Sequence, residues 1–327
     1  MIWPFLTLGL LLLAVGGVGA AVVVFGMART LIRPPRMTDA KAMRILGRLT
    51  PDDLHLPWEN WPVEVPDAAA AGKRLKLTNW WLPHPHAAGR CVVLVHGFGD
   101  AKVGALAWAP LWHAMGFNIL ATDLRAHGES GGKYSTGGFL ERHDLNHLLD
   151  ELLAQKPDDC RTLVLFGVSL GAATSLAAAC ERDDLAGVVL DSPFADYRRA
   201  ILAHGRMRGL PFLALQPAAA RLSEWLAEAD FAVVAPRDLI GEVPCPALLA
   251  YGGEDAFVSP EDRAELRDAL ARRDRAEDGA FEMPDAGHVL GLAADPAGYA
   301  TELAAFLARC GVAVRHDDSP AAATPEA

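Results

Sequence analysis

A chain of 327 residues with 51% hydrophobic and 22% charged side chains can bury a sizeable core, which excludes wholesale disorder. Its formal net charge of −11 at pH 7 excludes the broad basic face that non-specific nucleic-acid binding needs, so no nucleic-acid partner is expected. The five cysteines (Cys91, Cys160, Cys180, Cys245, Cys310) are odd in number and form no CxxC pair. They predict neither a zinc site nor a disulfide framework, and read as small core hydrophobes in a reducing compartment.

From Ile2 to Ala28 there is no charged side chain, and Leu, Val, Ala and Gly dominate. About 20 apolar residues span a bilayer core as a helix, so residues 1–28 predict a transmembrane anchor. The rival is a cleaved signal peptide with Val18-Gly19-Ala20 as its cleavage site, but the basic n-region and short apolar stretch of such peptides are missing. Arg29, Arg33, Arg36, Lys41, Arg44 and Arg48 all follow the span, which puts the bulk of the chain on the cytoplasmic side. Pro34-Pro35 breaks the helix, and residues 29–71 read as a juxtamembrane connector with short helical pieces.

The segment 72–82 alternates as a half-buried strand. Short apolar runs then recur between helical stretches: Cys91–Val95, Phe117–Thr122, Thr162–Gly167, Gly187–Leu190, Ala247–Tyr251 and Ala280–Met283. Such runs are strands buried on both faces, and their alternation with helices implies a mostly parallel sheet with right-handed crossovers. Residues 124–140 form a glycine-rich loop. Residues 193–242, with helical patches at Tyr197–Met207 and Ala219–Ala229, are too long for one crossover. They predict a cap over the carboxyl edge of the sheet, where such sheets bind ligands. The α/β domain is thus expected over 72–314, and residues 315–327, rich in Ala, Pro, Asp and Glu, read as a disordered tail.

Gly167-Val168-Ser169-Leu170-Gly171 sits between an apolar strand and a small-residue helix, the setting a nucleophile elbow requires. The sharp turn presents the Ser169 hydroxyl at the sheet edge, and the Leu170 amide at the helix start faces a developing oxyanion. His96-Gly97-Phe98-Gly99-Asp100 follows the strand Cys91–Val95 and is placed to supply a second oxyanion amide, that of Phe98. His288, in Asp285-Ala286-Gly287-His288 after the last strand, is the expected general base. Asp255, in the loop after Ala247–Tyr251, is the expected acid that fixes the imidazole. Glu254 competes for that role, and Asp285 is too close in sequence to orient the ring well.

With Asp123-Leu124-Arg125-Ala126-His127-Gly128-Glu129-Ser130-Gly131-Gly132 and Asp191-Ser192-Pro193-Phe194 added, the chain from about Leu75 to Cys310 resembles the serine α/β-hydrolase superfamily. More narrowly it looks like membrane-anchored bacterial hydrolases. The resemblance implies an α/β-hydrolase fold of eight strands, esterase-type acyl transfer and no cofactor. It also implies scaffold roles for Asp123, Arg125, His127 and Ser130. His96-Gly97-Phe98-Gly99 departs from the fuller HGGG loop of lipases. The substrate expected is a small acyl ester or thioester. A serine peptidase or acyltransferase on the same machinery, and an inactive anchored binding protein, stay open as alternatives.

Two other constellations carry weaker signals. His143 and His147 share a helical face and could hold a metal, but the flanking leucines suit an amphipathic helix with its polar side outward. The tryptophans Trp58, Trp61, Trp80, Trp81, Trp108, Trp112 and Trp225 read as core or interface anchors, with Trp58 and Trp61 near the membrane boundary.

Overall fold

The structure is a computed structural model and describes residues 3–207, 209 and 212–314. The tail expected to be disordered, 315–327, lies outside the described residues. The chain opens with helices α1 (Trp3–Ile32) and α2 (Asp39–Leu46), then strands β1 (Glu59–Asn60), β2 (Val63–Pro66), β3 (Arg74–Leu77), β4 (Asn79–Leu82) and β5 (Arg90–Val95). Next come α3 (Lys102–Ala105), α4 (Ala109–Ala114), β6 (Asn118–Thr122), α5 (Glu141–Gln155), β7 (Thr162–Val168), α6 (Leu170–Ala179) and β8 (Leu185–Asp191). After these run α7 (Tyr197–Met207), α8 (Gln216–Ala227), α9 (Pro236–Leu239), β9 (Ala247–Gly252), α10 (Pro260–Ala271), β10 (Gly279–Met283), α11 (Gly291–Ala294) and α12 (Pro296–Arg309).

Eight strands form one sheet in the order β1-β4-β6-β5-β7-β8-β9-β10. From β6 to β10 every pairing is parallel, while β4 and β1 add antiparallel at one edge. Alternate residues of the central strands feed two apolar layers. Val93, Val95, Leu165 and Leu190 face α5, α6 and the cap, whereas Val92, Leu94, Phe166 and Val189 face Trp112, Leu303 and Phe306. Burial on both faces explains why these strands read as continuous apolar runs.

The segment 72–82 is two strands, not one. Arg74–Leu77 alternates exposed and buried and pairs with β2 in a separate two-stranded sheet. Asn79–Leu82 is wholly buried and joins the main sheet. Thr78 between them is taken by other partners: its N–H donates to Ser130 Oγ at 2.9 Å and its carbonyl accepts the Asp123 N–H at 3.0 Å. The connector also differs from expectation. Besides short helices it contributes β1 and β2, and β1 extends the main sheet. Glu59 and Asn60 are both exposed, so no apolar alternation announces them.

Between β8 and β9 the cap consists of α7, a 3-10 turn at Leu213–Leu215, α8 and α9. Helix α8 packs against α7 and against α1, burying the small side chains Ala219, Ala220, Ser223 and Ala227. Helix α1 extends past Ala28 to Ile32, where Pro34 and Pro35 end it. Its side chains at Leu11, Val15, Val18, Val22 and Phe25 are exposed, while Ala28 and Ile32 are fully buried. The last turn is tied to the fold, with Ser135 donating its N–H to the Ile32 carbonyl at 2.9 Å and Tyr197 its hydroxyl to the Leu31 carbonyl at 3.3 Å.

Candidate active site

Ser169 stands at the junction of β7 and α6 with φ 53° and ψ −113°, a strained conformation for a residue with a side chain. Only glycine fits on either side: a Cβ on Gly167 would overlap the Gly171 carbonyl, and one on Gly171 would overlap the Val95 carbonyl. The turn is held from the neighbouring strand, where the Asp191 carbonyl accepts the Ser169 N–H at 2.9 Å. The first N–H groups of α6 have no intrahelical acceptor and lie beside the serine.

The loops after β9 and β10 bring two more groups to the hydroxyl. His288 Nε2 lies 3.0 Å from Ser169 Oγ, and His288 Nδ1 lies 2.7 Å from Asp255 Oδ2. The other oxygen of Asp255 accepts the N–H groups of Phe257 and Val258 at 2.8 and 2.9 Å, which locks the carboxylate. A carboxylate only accepts, so Nδ1 carries the proton and Nε2 is left free to accept from the serine. The Asp255 side chain is fully buried and that of His288 partly so. Neither Glu254 nor Asp285 makes a hydrogen bond to the imidazole, whose partners are Asp255 and Ser169.

His96 pins the loop on the other side of Ser169. Its Nε2 accepts the Leu124 N–H at 3.0 Å, so Nδ1 carries the proton and donates to the Gly97 carbonyl at 2.7 Å. Burial, and then the neighbouring His127, push the His96 pKa down to about 3, so the ring is neutral. Gly97 comes so close to Ser169 that a Cβ on it would lie 3.4 Å from the serine Cβ. Phe98 and Leu170 border the same cavity as Ser169 and His288, a space of about 350 Å³. Its walls are mostly apolar, with Leu31, Trp108, Phe194, Ile201 and Phe257, and also take in Asp100, Tyr197 and His204.

Several contributors carry no sequence signal of their place here. Leu31, from the end of the apolar helix, lines the cavity. Lys41 donates its Nζ to the Gly99 carbonyl at 3.0 Å, and Arg36 donates to the carbonyls of Gly128 and Ser130 at 2.7 and 2.8 Å. The connector thereby braces the loop that runs past the serine, at Gly99, and the separate loop at Gly128–Ser130. Asp191, buried at the end of β8, accepts from Ser192 Oγ at 2.9 Å and from the Tyr299 hydroxyl at 2.7 Å. Its burial raises the carboxyl pKa against the pull of those hydrogen bonds.

The residues expected to be scaffold are all engaged away from Ser169. Asp123 accepts from Lys102, Thr78 and Glu129, and Arg125 forms an ion pair with Asp144. His127 contacts the Arg125 carbonyl at 2.9 Å, and Ser130 donates to the Asp123 carbonyl at 2.7 Å. His147 directs Nδ1 to the His143 carbonyl at 2.7 Å, and His143 lies beside Glu181, so the two imidazoles serve different partners. All five cysteines are free; Cys91, Cys160 and Cys245 are buried. Trp58 packs edge-on against Trp80 and Trp61 packs on the core, while Trp225 of the cap is 75% exposed.

The YqkD protein of Bacillus subtilis is 30% identical over 178 residues, a stretch covering 53% of this chain and 58% of that one. The membrane protein YNL320W of Saccharomyces cerevisiae is 26% identical over 153 residues, or 46% of this chain and 51% of that one. The chain thus spans little more than half the length of these relatives. Among solved structures, the Pyrococcus furiosus esterase Pf2001 superposes with a TM-score of 0.66 at 24% identity, covering 84% of this chain and 98% of that one. A thermophilic esterase from Thermogutta terrifontis gives 0.53 at 22% identity, covering 76% and 99%. These two establish the likeness of fold. The sequence model of the alpha/beta hydrolase family matches residues 92–302, most of the sheet together with the cap, and the chain belongs to that family.

Proposed function

We propose that the protein is a serine hydrolase that cleaves a carboxylic ester or thioester through an acyl-enzyme, with Ser169, His288 and Asp255 as its catalytic residues. One observation carries this reading: the hydrogen-bonded line from Ser169 Oγ to His288 Nε2 at 3.0 Å and on from Nδ1 to Asp255 at 2.7 Å. Ser169 Oγ attacks the acyl carbon while Nε2 takes its proton, and the carbonyl oxygen becomes an oxyanion. The amides of Phe98 and Leu170 stabilise that charge, each worth about 3 kcal/mol. Nε2 then gives the proton to the leaving oxygen or sulfur as the acyl–heteroatom bond breaks. A water attacks the acyl-enzyme, its proton goes to Nε2 and on to Ser169 Oγ, and the acid departs.

The apolar helix supports an uncleaved anchor at residues 1–28, followed by the connector 29–71 and the hydrolase domain 72–314 with its cap near 193–242. Removal of residues up to Ala20 would strip most of the apolar run yet leave a last turn, with Ala28 and Ile32, that is already built into the fold. The basic residues after Ala28 favour the cytoplasmic side.

A fluorophosphonate probe tests the central claim. The wild type is expected to be labelled and Ser169→Ala to remain unlabelled, with parallel loss of p-nitrophenyl ester turnover. Labelling of Ser169→Ala at the wild-type level would remove Ser169 from the mechanism, and an unlabelled wild type would favour a binding protein.

A further inference from the structure

The apolar helix forms part of the cavity wall, so membrane and site are one structure. Helix α1 has 30 residues, about 45 Å of helix, whereas a bilayer core takes about 20 residues. Its first charged side chain is Arg29, with the Arg29 guanidinium over the ring of Phe25 at 5.7 Å. A charge marks where the helix leaves the hydrocarbon, since an arginine reaches for the headgroups. Leu31 follows two residues later, about 3 Å along the axis. The polar layer on each side of the core is about 5–8 Å deep, so the cavity wall at Leu31 lies within it.

The cap carries the second observation. Helix α8 runs against α1, and Trp225 on its outer side is 75% exposed, with Phe212 and Leu213 ahead of it 58% and 38% exposed. Arg221 is exposed on the same helix. An exposed tryptophan beside an arginine on a helix docked to the apolar helix, with exposed phenylalanine and leucine in the turn before it, suits the boundary between headgroups and acyl chains. Between that helix and Ser169 stands α7, whose Ile201 shares the cavity wall with Leu31.

We propose that the site takes its substrate from the bilayer: a single-chain acyl amphiphile whose tail enters the apolar cavity flanked by Leu31 and Ile201 while its ester meets Ser169 at headgroup depth. This rests on the hydrolase reading above. At about 350 Å³ the cavity is at the small end for ligand sites, which run from about 300 to 1,000 Å³, so it suits one acyl chain rather than two. The ester bonds of acyl lipids lie at the same depth as Leu31, so cleavage needs no full extraction of the lipid into water.

The test uses the full chain in phosphatidylcholine vesicles with two esters, p-nitrophenyl acetate in water and 4-methylumbelliferyl oleate in the bilayer. The wild type is expected to cleave both, and Leu31→Glu to lower oleate turnover by about tenfold or more while acetate turnover falls about twofold. Lipids brominated near the top of the acyl chain are expected to quench the tryptophan emission of the wild type more than that of Trp225→Phe. Acetate cleavage and fluorophosphonate labelling without oleate cleavage would overturn this inference and leave the hydrolase reading intact. Equal quenching of wild type and Trp225→Phe would overturn it even if Leu31→Glu failed to fold. A wild type that neither cleaves nor labels would remove the hydrolase reading, and this inference with it.

Discussion

The backbone N–H of Val289 donates to the hydroxyl of Ser192 at 3.1 Å, and Val289 makes that bond at a φ of 54°. A β-branched residue in the left-handed region is strained, so the surrounding structure must impose the conformation. The Ser192 hydroxyl in turn donates to Asp191, which also accepts from Tyr299. A buried carboxylate at the end of β8 therefore fixes the residue that follows His288.

This relationship makes Ser192 a positioning residue for the imidazole. Ser192→Ala is expected to lower kcat by about ten- to a hundredfold with KM nearly unchanged, since a small misplacement of a catalytic group has that cost. Steady-state kinetics on a p-nitrophenyl ester will read it. A kcat within about twofold of wild type would mean that the strained turn holds itself without the hydroxyl.

Asp255→Asn separates the orienting role of the carboxylate from its structural one. The amide oxygen of Asn can still accept from Phe257 and Val258, which now hold Asp255 Oδ1. Its NH₂ would face His288 Nδ1 and force the proton onto Nε2, which then cannot accept from Ser169. Turnover is expected to fall about 10³- to 10⁴-fold with the fold intact by circular dichroism. Retention of a tenth or more of the activity would return Glu254 to consideration as the acid.

The motifs around Ser169, Asp255 and His288 were legible because each is a local turn chemistry set just after an apolar strand. The central strands were legible for the same reason, being buried on both faces. What escaped depends on partners distant in the chain. Thr78 splits a strand because Asp123 and Ser130 claim its backbone, and Leu31 reaches the cavity only because α1 docks on the cap. Ser192 looks like any turn serine until Val289 arrives from beyond β10. Exposed β1 has no apolar pattern at all.

The neutral His96 predicts an acid-sensitive fold. Its pKa drops from 6.5 to about 3 on folding, with burial the main cause. Below pH 6.5 the unfolded chain therefore takes up a proton that the folded chain refuses, and stability is lost as pH falls toward 3. Asp100 works in the opposite direction, because burial raises its carboxyl to about 6. Comparison of wild type with His96→Asn cancels that contribution. Between pH 7.5 and 5, urea unfolding is expected to show the wild type losing about 2 kcal/mol more than the variant. Equal losses would mean that the buried ring accepts a proton in the folded state.

Lys102 offers the sharpest test of the bracing beside the site. Its side chain is 4% exposed, with Nζ 2.8 Å from Asp123 and 2.7 Å from Glu129, and it lies over the Trp80 ring at 4.8 Å. Burial by itself raises the Asp123 carboxyl, but the Lys102 charge and the hydrogen bonds from Lys102 hold the pKa below the ordinary value. Lys102→Met keeps the bulk and removes the charge, leaving Asp123 buried without its cation. Loss of one partner from such a pair costs about 3–5 kcal/mol. Asp123→Asn added to Lys102→Met removes the stranded charge, although its single amide oxygen can accept only one of the two N–H groups that now bind separate oxygens, that of residue 102 on Oδ1 or that of Glu129 on Oδ2. The double variant is therefore expected to be more stable than Lys102→Met alone, as measured by urea unfolding. A double variant weaker than either single one would assign the stability to the hydrogen bonds of the carboxylate and not to the ion pair.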